Sequence, residues 1–320
     1  MEFKKYILKP TQRSYLCSPP SAFSAPLWFV YLDNLFLGNP LPKSKIDMTQ
    51  LKTLPTYDPS LFEGAAEGYA QHRTKYPPIV FDKLAEIFNL NGQGRLLDLG
   101  TGSGLISIPL RTKFEEVVAI DPDPEMIAEA KRQAAAVGAN NITWLEQGAE
   151  LIDSSLGKFK LTTIGRAFHW MERELVLERL YELLTDDGAL ALLNTGDNPW
   201  ESNLLWKQAA VGVVKKWLGE ERRTGQRGQG TRKPVDPPHE VVIGNSAFAR
   251  QETYEVPFEK SWTVDSYLGY LYTTAFSLKI FYGDNAPAFE KDLREALLAV
   301  EPSGHFTEEL KATILVAWKH

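Results

Sequence analysis

A doubly wound, mostly parallel α/β sheet is the fold class predicted by the middle of this 320-residue chain. Three observations carry it. Short apolar runs of strand length recur between residues 95 and 195, and stretches with helical spacing separate them. The clearest runs are apolar at consecutive positions, as in strands covered on both faces. Strand and helix alternate, so the connections are right-handed crossovers within one sheet.

Each element has its own signal. Ile79, Val80, Phe81, Leu84, Ile87 and Phe88 recur at helical spacing, and Asn91-Gly92 with Gly94 stop that helix. Leu96, Leu97 and Leu99 make a buried strand closed by Gly100. Val117 to Ile120 makes a second strand, ended by Asp121. Asp123 then caps a helix with Pro124 and Glu125 in its first turn and Met126, Ile127, Ala130 and Val137 facing inward. Asn141 to Leu145 and Leu161 to Ile164 are the third and fourth strands, and a helix spans Glu172 to Leu184. Asp186-Asp187-Gly188 turns into a fifth strand, Ala189 to Leu193.

After Asn194 the rhythm changes. A helix is expected over 199–218, then a loop rich in Gly, Arg and Pro over Glu220 to Glu240. Gln251 to Phe258 reads as a strand, Val264 to Leu278 and Ala288 to Val300 as helices, and Leu310 to Trp318 as the last strand. The division is therefore an extension over 1–50 and a domain over 51–320, with its core at 79–195 plus the final strands and a cap at roughly 199–305.

Composition bounds the function. The formal charge of −6 argues against nucleic-acid backbone binding as the main role. The single cysteine, Cys17, excludes an intramolecular disulfide and a multi-cysteine metal site, and no other clustered ligands suggest a metal. Residues 1–50 read as a poorly ordered extension, and strongly patterned sequence begins just after Met48. Lys4 and Lys5 ahead of the apolar Ala22 to Leu37 stretch have the outline of a secretory leader, but Pro19, Pro20 and Pro26 break the helix it needs. No other run approaches membrane-spanning length, so a cytoplasmic protein without membrane contact is expected.

The strongest chemical signal is Asp98-Leu99-Gly100-Thr101-Gly102-Ser103-Gly104, between a strand and a helix. Glycines there permit positive φ and let a ligand lie against the backbone. A dinucleotide fingerprint needs a glycine at 105, where Leu105 stands. The acid closing the preceding strand suits a ligand with a cationic amine and would repel a pyrophosphate. Asp121, at the end of the next strand, has the acceptor capacity for both hydroxyls of a ribose.

With these residues the chain resembles the class I S-adenosylmethionine-dependent methyltransferases, and within them the small-molecule, trans-aconitate-like branch called type 11. The resemblance rests on Asp98 to Gly104, Asp121, Ala149-Glu150, Ala167-Phe168-His169-Trp170 and Gly188, with the lead-in Tyr69 to Pro77 carrying Tyr69, Arg73 and Tyr76. It spans roughly residues 60–195. It implies a Rossmann-like seven-stranded sheet of order 3-2-1-4-5-7-6 with helical cap insertions, and S-adenosylmethionine as cofactor. Gly100, Thr101, Gly102 and Gly104 would pass under the methionine and ribose, with Asp98 near the amino group. Asp121 and Pro122 would meet the ribose, Met126 the adenine side, and Ala149 and Glu150 the adenine edge. Arg166 would lie beside the cofactor, and Tyr69 and Arg73 would close over its carboxylate. Two departures stand out. Phe159-Lys160 replaces the usual Phe-Asp, which bears on stability, and Pro109 should kink the helix after the glycine loop.

The implied reaction is in-line methyl transfer to a small-molecule acceptor. His169, on the sheet's carboxyl edge, is the candidate base, against a packing role beside Trp170. Among the aromatics after residue 199, Trp262, Tyr267 and Tyr270, together with Trp170, are the candidate substrate contacts, although most such rings should be core. The basic stretch Lys215, Lys216, Arg222, Arg223, Arg227, Arg232 and Lys233 admits an anionic substrate, against a solvated loop. The Asn-Pro-Pro-aromatic motif of amino-group methylases is absent after strand four. The alternatives are a non-catalytic cofactor-binding homologue and methylation of a macromolecule such as tRNA.

Overall fold

The computed structural model describes residues 66–224, 230–231, 237–248 and 250–320. The expected extension over 1–50, and Arg227, Arg232 and Lys233 of the basic stretch, lie outside these residues. Seven strands form one sheet: β1 (Arg95–Leu99), β2 (Glu116–Asp121), β3 (Ile142–Glu146), β4 (Phe159–Gly165), β5 (Leu184–Asn194), β6 (Arg250–Thr263) and β7 (His305–Trp318). Their order is 3-2-1-4-5-7-6, as the family resemblance implies. The first five run parallel, whereas β7 pairs antiparallel with both β5 and β6. The helices are α1 (Ala66–His72), α2 (Pro78–Phe88), α3 (Ser107–Leu110), α4 (Pro124–Ala136), α5 (Arg173–Leu183), α6 (Leu205–Leu218), α7 (His239–Gly244), α8 (Val264–Leu271) and α9 (Ala286–Val300).

Consecutive residues of the inner strands serve opposite layers. Leu96, Val117, Leu161, Ala189 and Val316 pack under α2, while Leu97, Val118, Leu190 and Leu315 pack under α5. That two-sided burial is why these strands read as unbroken apolar runs. Asp123 caps α4 by accepting from the amides of Glu125 and Met126 at 2.8 and 3.2 Å. Asp186 to Gly188 sit in a register shift, where the β4 partner jumps from Leu184 to Ala189.

Several expectations change at the edges. Pro109 does more than kink its helix: α3 ends at Leu110 and continues only as a 3-10 turn over Arg111–Lys113. The helix expected from 199 begins at Leu205, because Pro199–Glu201 is a separate 3-10 turn. Of the loop expected over Glu220 to Glu240, residues 225–229 and 232–236 lie outside the described residues, Arg223–Thr224 pairs antiparallel with Gly230–Thr231, and α7 begins at His239. The helix expected to reach Leu278 stops at Leu271, where the hydroxyls of Thr273 and Thr274 turn back to the carbonyls of Tyr270 and Leu271 at 2.7 and 2.6 Å.

The last two strands are longer than their sequence suggests. β6 and β7 pair over fourteen residues each, from Arg250 opposite Trp318 to Thr263 opposite His305. β5 accompanies β7 only from Thr313 to Trp318, so residues 305–312 and their partners form a ribbon beyond β5. Along that ribbon Phe306, Glu308, Leu310 and Ala312 are buried in alternation. Phe306 joins the cap core with Trp206, Trp262, Tyr267, Tyr270 and Phe289.

Candidate active site

The carboxyl ends of β1, β2 and β4 meet at the glycine loop, where strand order reverses and ligands bind in open α/β sheets. Gly100 has φ of 64°, and a Cβ there would stand 2.5 Å from that of Ala167 after β4. The loop is thus pressed against the segment that carries His169. Gly102 has φ of 54°, and its nearest neighbour on the Cβ side is the Tyr69 ring at 3.9 Å, so room remains between loop and lead-in.

Two carboxylates hold the loop. Asp98 is buried beneath it, accepting from the hydroxyls of Thr101 at 2.6 Å and Thr163 at 2.8 Å. Asp121 accepts from the Gly102 amide at 2.8 Å and, with its other oxygen, from the Asp123 amide at 3.0 Å. A carboxylate offers about four lone-pair sites, so Asp121 keeps acceptor capacity for a ligand. Burial pushes both groups up to about 6. Pro122 is half-buried beside Asp121, and Met126 and Ala149 are buried. Glu150 accepts from the Glu172 amide at 3.0 Å, which joins the turn after β3 to the start of α5.

A second group gathers on the lead-in side. Arg73 lies against the Tyr69 and Tyr270 rings at 5.3 and 5.9 Å and donates to the Thr273 carbonyl at 3.3 Å. Arg166 ends β4 with φ of 59°, a left-handed conformation that a non-glycine residue holds only under constraint. Its amide donates to the Leu193 carbonyl at 3.2 Å, and its guanidinium donates to Thr195 Oγ1 at 3.2 Å and to the Thr74 carbonyl at 3.1 Å. The Tyr76 hydroxyl donates to the same Leu193 carbonyl at 3.0 Å, and burial pushes it up to about 12. The Nε atoms of Arg73 and Arg166 are buried with no partner among the described residues.

The remaining candidates separate. His169 and Trp170 are exposed on the turn after β4, ring centroids 4.7 Å apart, while Phe168 anchors the turn. Trp262 and Tyr267 lie inside the cap core, edge to face at 5.4 Å, with Tyr267 also packed on Trp206 at 4.8 Å. That placement makes these two rings packing residues, where substrate contact was expected. Tyr270 is also buried but reaches the arginine group. Of the basic stretch, Lys216 pairs with Asp292 at 2.7 Å and Arg222 lies over the Phe276 ring at 4.7 Å.

Sequence reasoning missed a buried triad behind Tyr270. Lys207 of α6 pairs with Asp197 after β5 at 3.3 Å and, at closer range, with Glu308 of β7. Asp197 also accepts from Thr74 Oγ1 at 2.8 Å, and Glu308 accepts from Trp262 Nε1 at 2.6 Å. All three triad side chains are almost wholly buried. The signal was present: Lys207 heads the apolar stripe Lys207, Ala210, Val211, Val214, and a cation there needs a buried partner. Behind the triad opens a cleft of about 680 Å³ whose acidic lining includes Glu201, Glu259 and Glu309. No glycine-loop residue lines it. Among the described residues no group of three or more His, Cys, Asp or Glu is placed to hold a metal, and no helix is long and apolar enough to cross a membrane.

Residues 96–188 match the family model of the methyltransferase domain. An uncharacterised methyltransferase of Schizosaccharomyces pombe is 31% identical over 136 residues, 41% of this chain and 52% of the relative. An uncharacterised methyltransferase of Mycobacterium tuberculosis is 31% identical over 146 residues, 44% of this chain and 55% of the relative. The matches therefore span about half the length of these curated relatives. A solved structure of a candidate type II methyltransferase from Anaeromyxobacter dehalogenans has a TM-score of 0.53 at 22% identity. The alignment covers 77% of this chain and 96% of that one, a likeness of fold.

Proposed function

We propose that this chain transfers a methyl group from S-adenosylmethionine to a small-molecule acceptor. The observation that carries the reading is the glycine loop held by Asp121 through the Gly102 amide, at the switch point of a sheet whose central segment matches a methyltransferase domain. The residues present fit such a ligand. Asp121 retains acceptor sites for ribose hydroxyls, Met126 and Ala149 give apolar cover for an adenine, and Glu150 lies at its edge. Asp98 fixes the loop and supplies negative potential toward an amino group. Tyr69 and Arg73 offer a ring and an unpartnered donor to a carboxylate.

When bound, the sulfonium supplies an electrophilic methyl group. The protein's share is alignment and exclusion of water, since an in-line displacement depends mainly on both. His169, exposed after β4, is the candidate to accept a proton from an acceptor hydroxyl or amine. The negative formal charge favours a small molecule over nucleic acid.

Calorimetry with S-adenosylhomocysteine tests the reading, and a folded protein that does not bind it would refute the assignment. Asp121→Ala should weaken that binding by about 1–3 kcal/mol through loss of charged hydrogen bonds. Unchanged affinity would remove Asp121 from the site.

A further inference from the structure

Residues 73–77, which carry Arg73, belong to no helix or strand. The helix before them, α1, is seven residues long and too short to hold itself in water. Their place is therefore set by long-range contacts, and two of these meet at Thr74. Thr74 is fully buried, its hydroxyl donates to Asp197 at 2.8 Å, and its carbonyl accepts from Arg166 at 3.1 Å. On either side, Arg73 is tied to the Thr273 carbonyl at 3.3 Å and Tyr76 to the Leu193 carbonyl at 3.0 Å.

The partner of Thr74 is itself held by the cap. Asp197 shares Lys207 of α6 with Glu308 of β7, and its side chain is 1% exposed. Burial first, and Asp197 next, hold the Tyr270 hydroxyl of α8 well above the ordinary tyrosine value. Arg73 lies against that same ring. Asp197 thus reaches Arg73 by two short routes, through Thr74 and through Tyr270. The lead-in also meets the cap without any charge: a Cβ on Gly269 of α8 would stand 2.4 Å from the His72 ring, so α1 rests directly on the α8 backbone. Arg73 meets the glycine-loop side through the Tyr69 ring, which stands opposite Gly102. Its Nε–H is buried without an acceptor among the described residues. A guanidinium–carboxylate pair depends on the alignment of a rigid fork, so Arg73 is sensitive to how its neighbour Thr74 is anchored.

We infer that Asp197 is a positioning residue for cofactor binding: by accepting from Thr74 it sets Arg73 for the cofactor's carboxylate, and so couples the methionine end of the cofactor site to the buried charge cluster of the cap. The inference rests on the methyltransferase reading and deepens it.

The test is calorimetric titration of the full chain with S-adenosylhomocysteine and with methylthioadenosine, which keeps the nucleoside and the thioether and lacks the amino-acid end. Thr74→Val keeps the side-chain shape and removes the hydroxyl. It should weaken S-adenosylhomocysteine by about tenfold and leave methylthioadenosine within about twofold. Thr74→Ser should hold S-adenosylhomocysteine within about threefold of the wild-type affinity. A merely structural role would weaken both ligands alike, so equal losses in Thr74→Val overturn the inference, as does an unchanged S-adenosylhomocysteine affinity. If Thr74→Val fails to fold, Gly269→Ala displaces His72 from the cap side with Thr74 intact, and should show the same selective loss; equal losses, or none, overturn the inference there too. Hydrogen exchange in the wild-type chain decides independently of either titration. S-adenosylhomocysteine should protect residues 69–76 and α8 together, and protection of the lead-in alone overturns the coupling to the cap. Failure of the wild-type chain to bind S-adenosylhomocysteine instead removes the methyltransferase reading itself.

Discussion

Replacing Lys207 by Met deletes one charge and keeps a flexible stem of similar length, so packing changes little. The electrostatic change is large. Lys207 is 1% exposed and shared by Asp197 and Glu308, both nearly solvent-free. Removing one partner of a buried pair costs about 3–5 kcal/mol, because the other charge is left unpaired. Here two carboxylates lose their cation, although Thr74 and Trp262 still donate to them. Glu308 is already held above the ordinary glutamate value by burial, so it is the acid that takes up a proton. Its folded pKa rises further above 4.5, and the variant's stability then falls as pH climbs from that value through the raised one. Urea unfolding followed by tryptophan fluorescence should give the full loss at about pH 8 and a visibly smaller one at about pH 5. Adding Glu308→Gln should restore about 1–2 kcal/mol at the higher pH. A loss below about 1 kcal/mol at pH 8, or one independent of pH, would refute the argument that the triad is a desolvated charge cluster.

Three further outcomes follow from the glycine loop and its acids. Asp121, pushed up to about 6 by burial, is protonated on acidification and ceases to be a charged acceptor. S-adenosylhomocysteine affinity should therefore drop about tenfold between pH 7.5 and pH 5, and a flat calorimetric profile would contradict it. Without ligand the sign is opposite: Asp98 and Asp121 have folded values near 6 against 3.8, so their stability contribution is lost as pH rises from about 4 to about 6. Urea midpoints across that window measure the loss. Gly100→Ala combines a positive φ with a methyl 2.5 Å from Ala167, and should cost about 2–4 kcal/mol; an unchanged melting temperature would rule out the close loop contact.

The inner sheet was legible because its residues answer to local rules. Leu96-Leu97, Val117 to Ile120 and Ala189 to Leu193 are apolar at consecutive positions because both faces are covered, and the glycines and Asp123 mark strand and helix ends by their own backbone chemistry. The ribbon of β6 and β7 was under-read. Residues 305–312 alternate polar and apolar, with glutamates on both faces, and one of those glutamates is buried by a lysine about a hundred positions away. No window of sequence contains that pairing. The cap helices were misjudged at Pro199 and Thr273 for a similar reason: turns closed by side-chain and 3-10 contacts look helical in apolar spacing alone.

Local sequence is enough to specify the order of strands and helices through the core, the glycine loop and the acids at the ends of β1 and β2. These follow from periodicity, capping and positive φ, which act within a few residues. Tertiary structure decided which acids hold the loop and which rings are core. It also decided that Lys207 is shared by Asp197 and Glu308 in a buried cluster. Charge pairing in a desolvated interior depends on which segments the fold brings together: Arg166 reaches Thr74 and Thr195, and Lys207 reaches Asp197 and Glu308, only when β4, β5 and β7 lie side by side with the lead-in and cap against them.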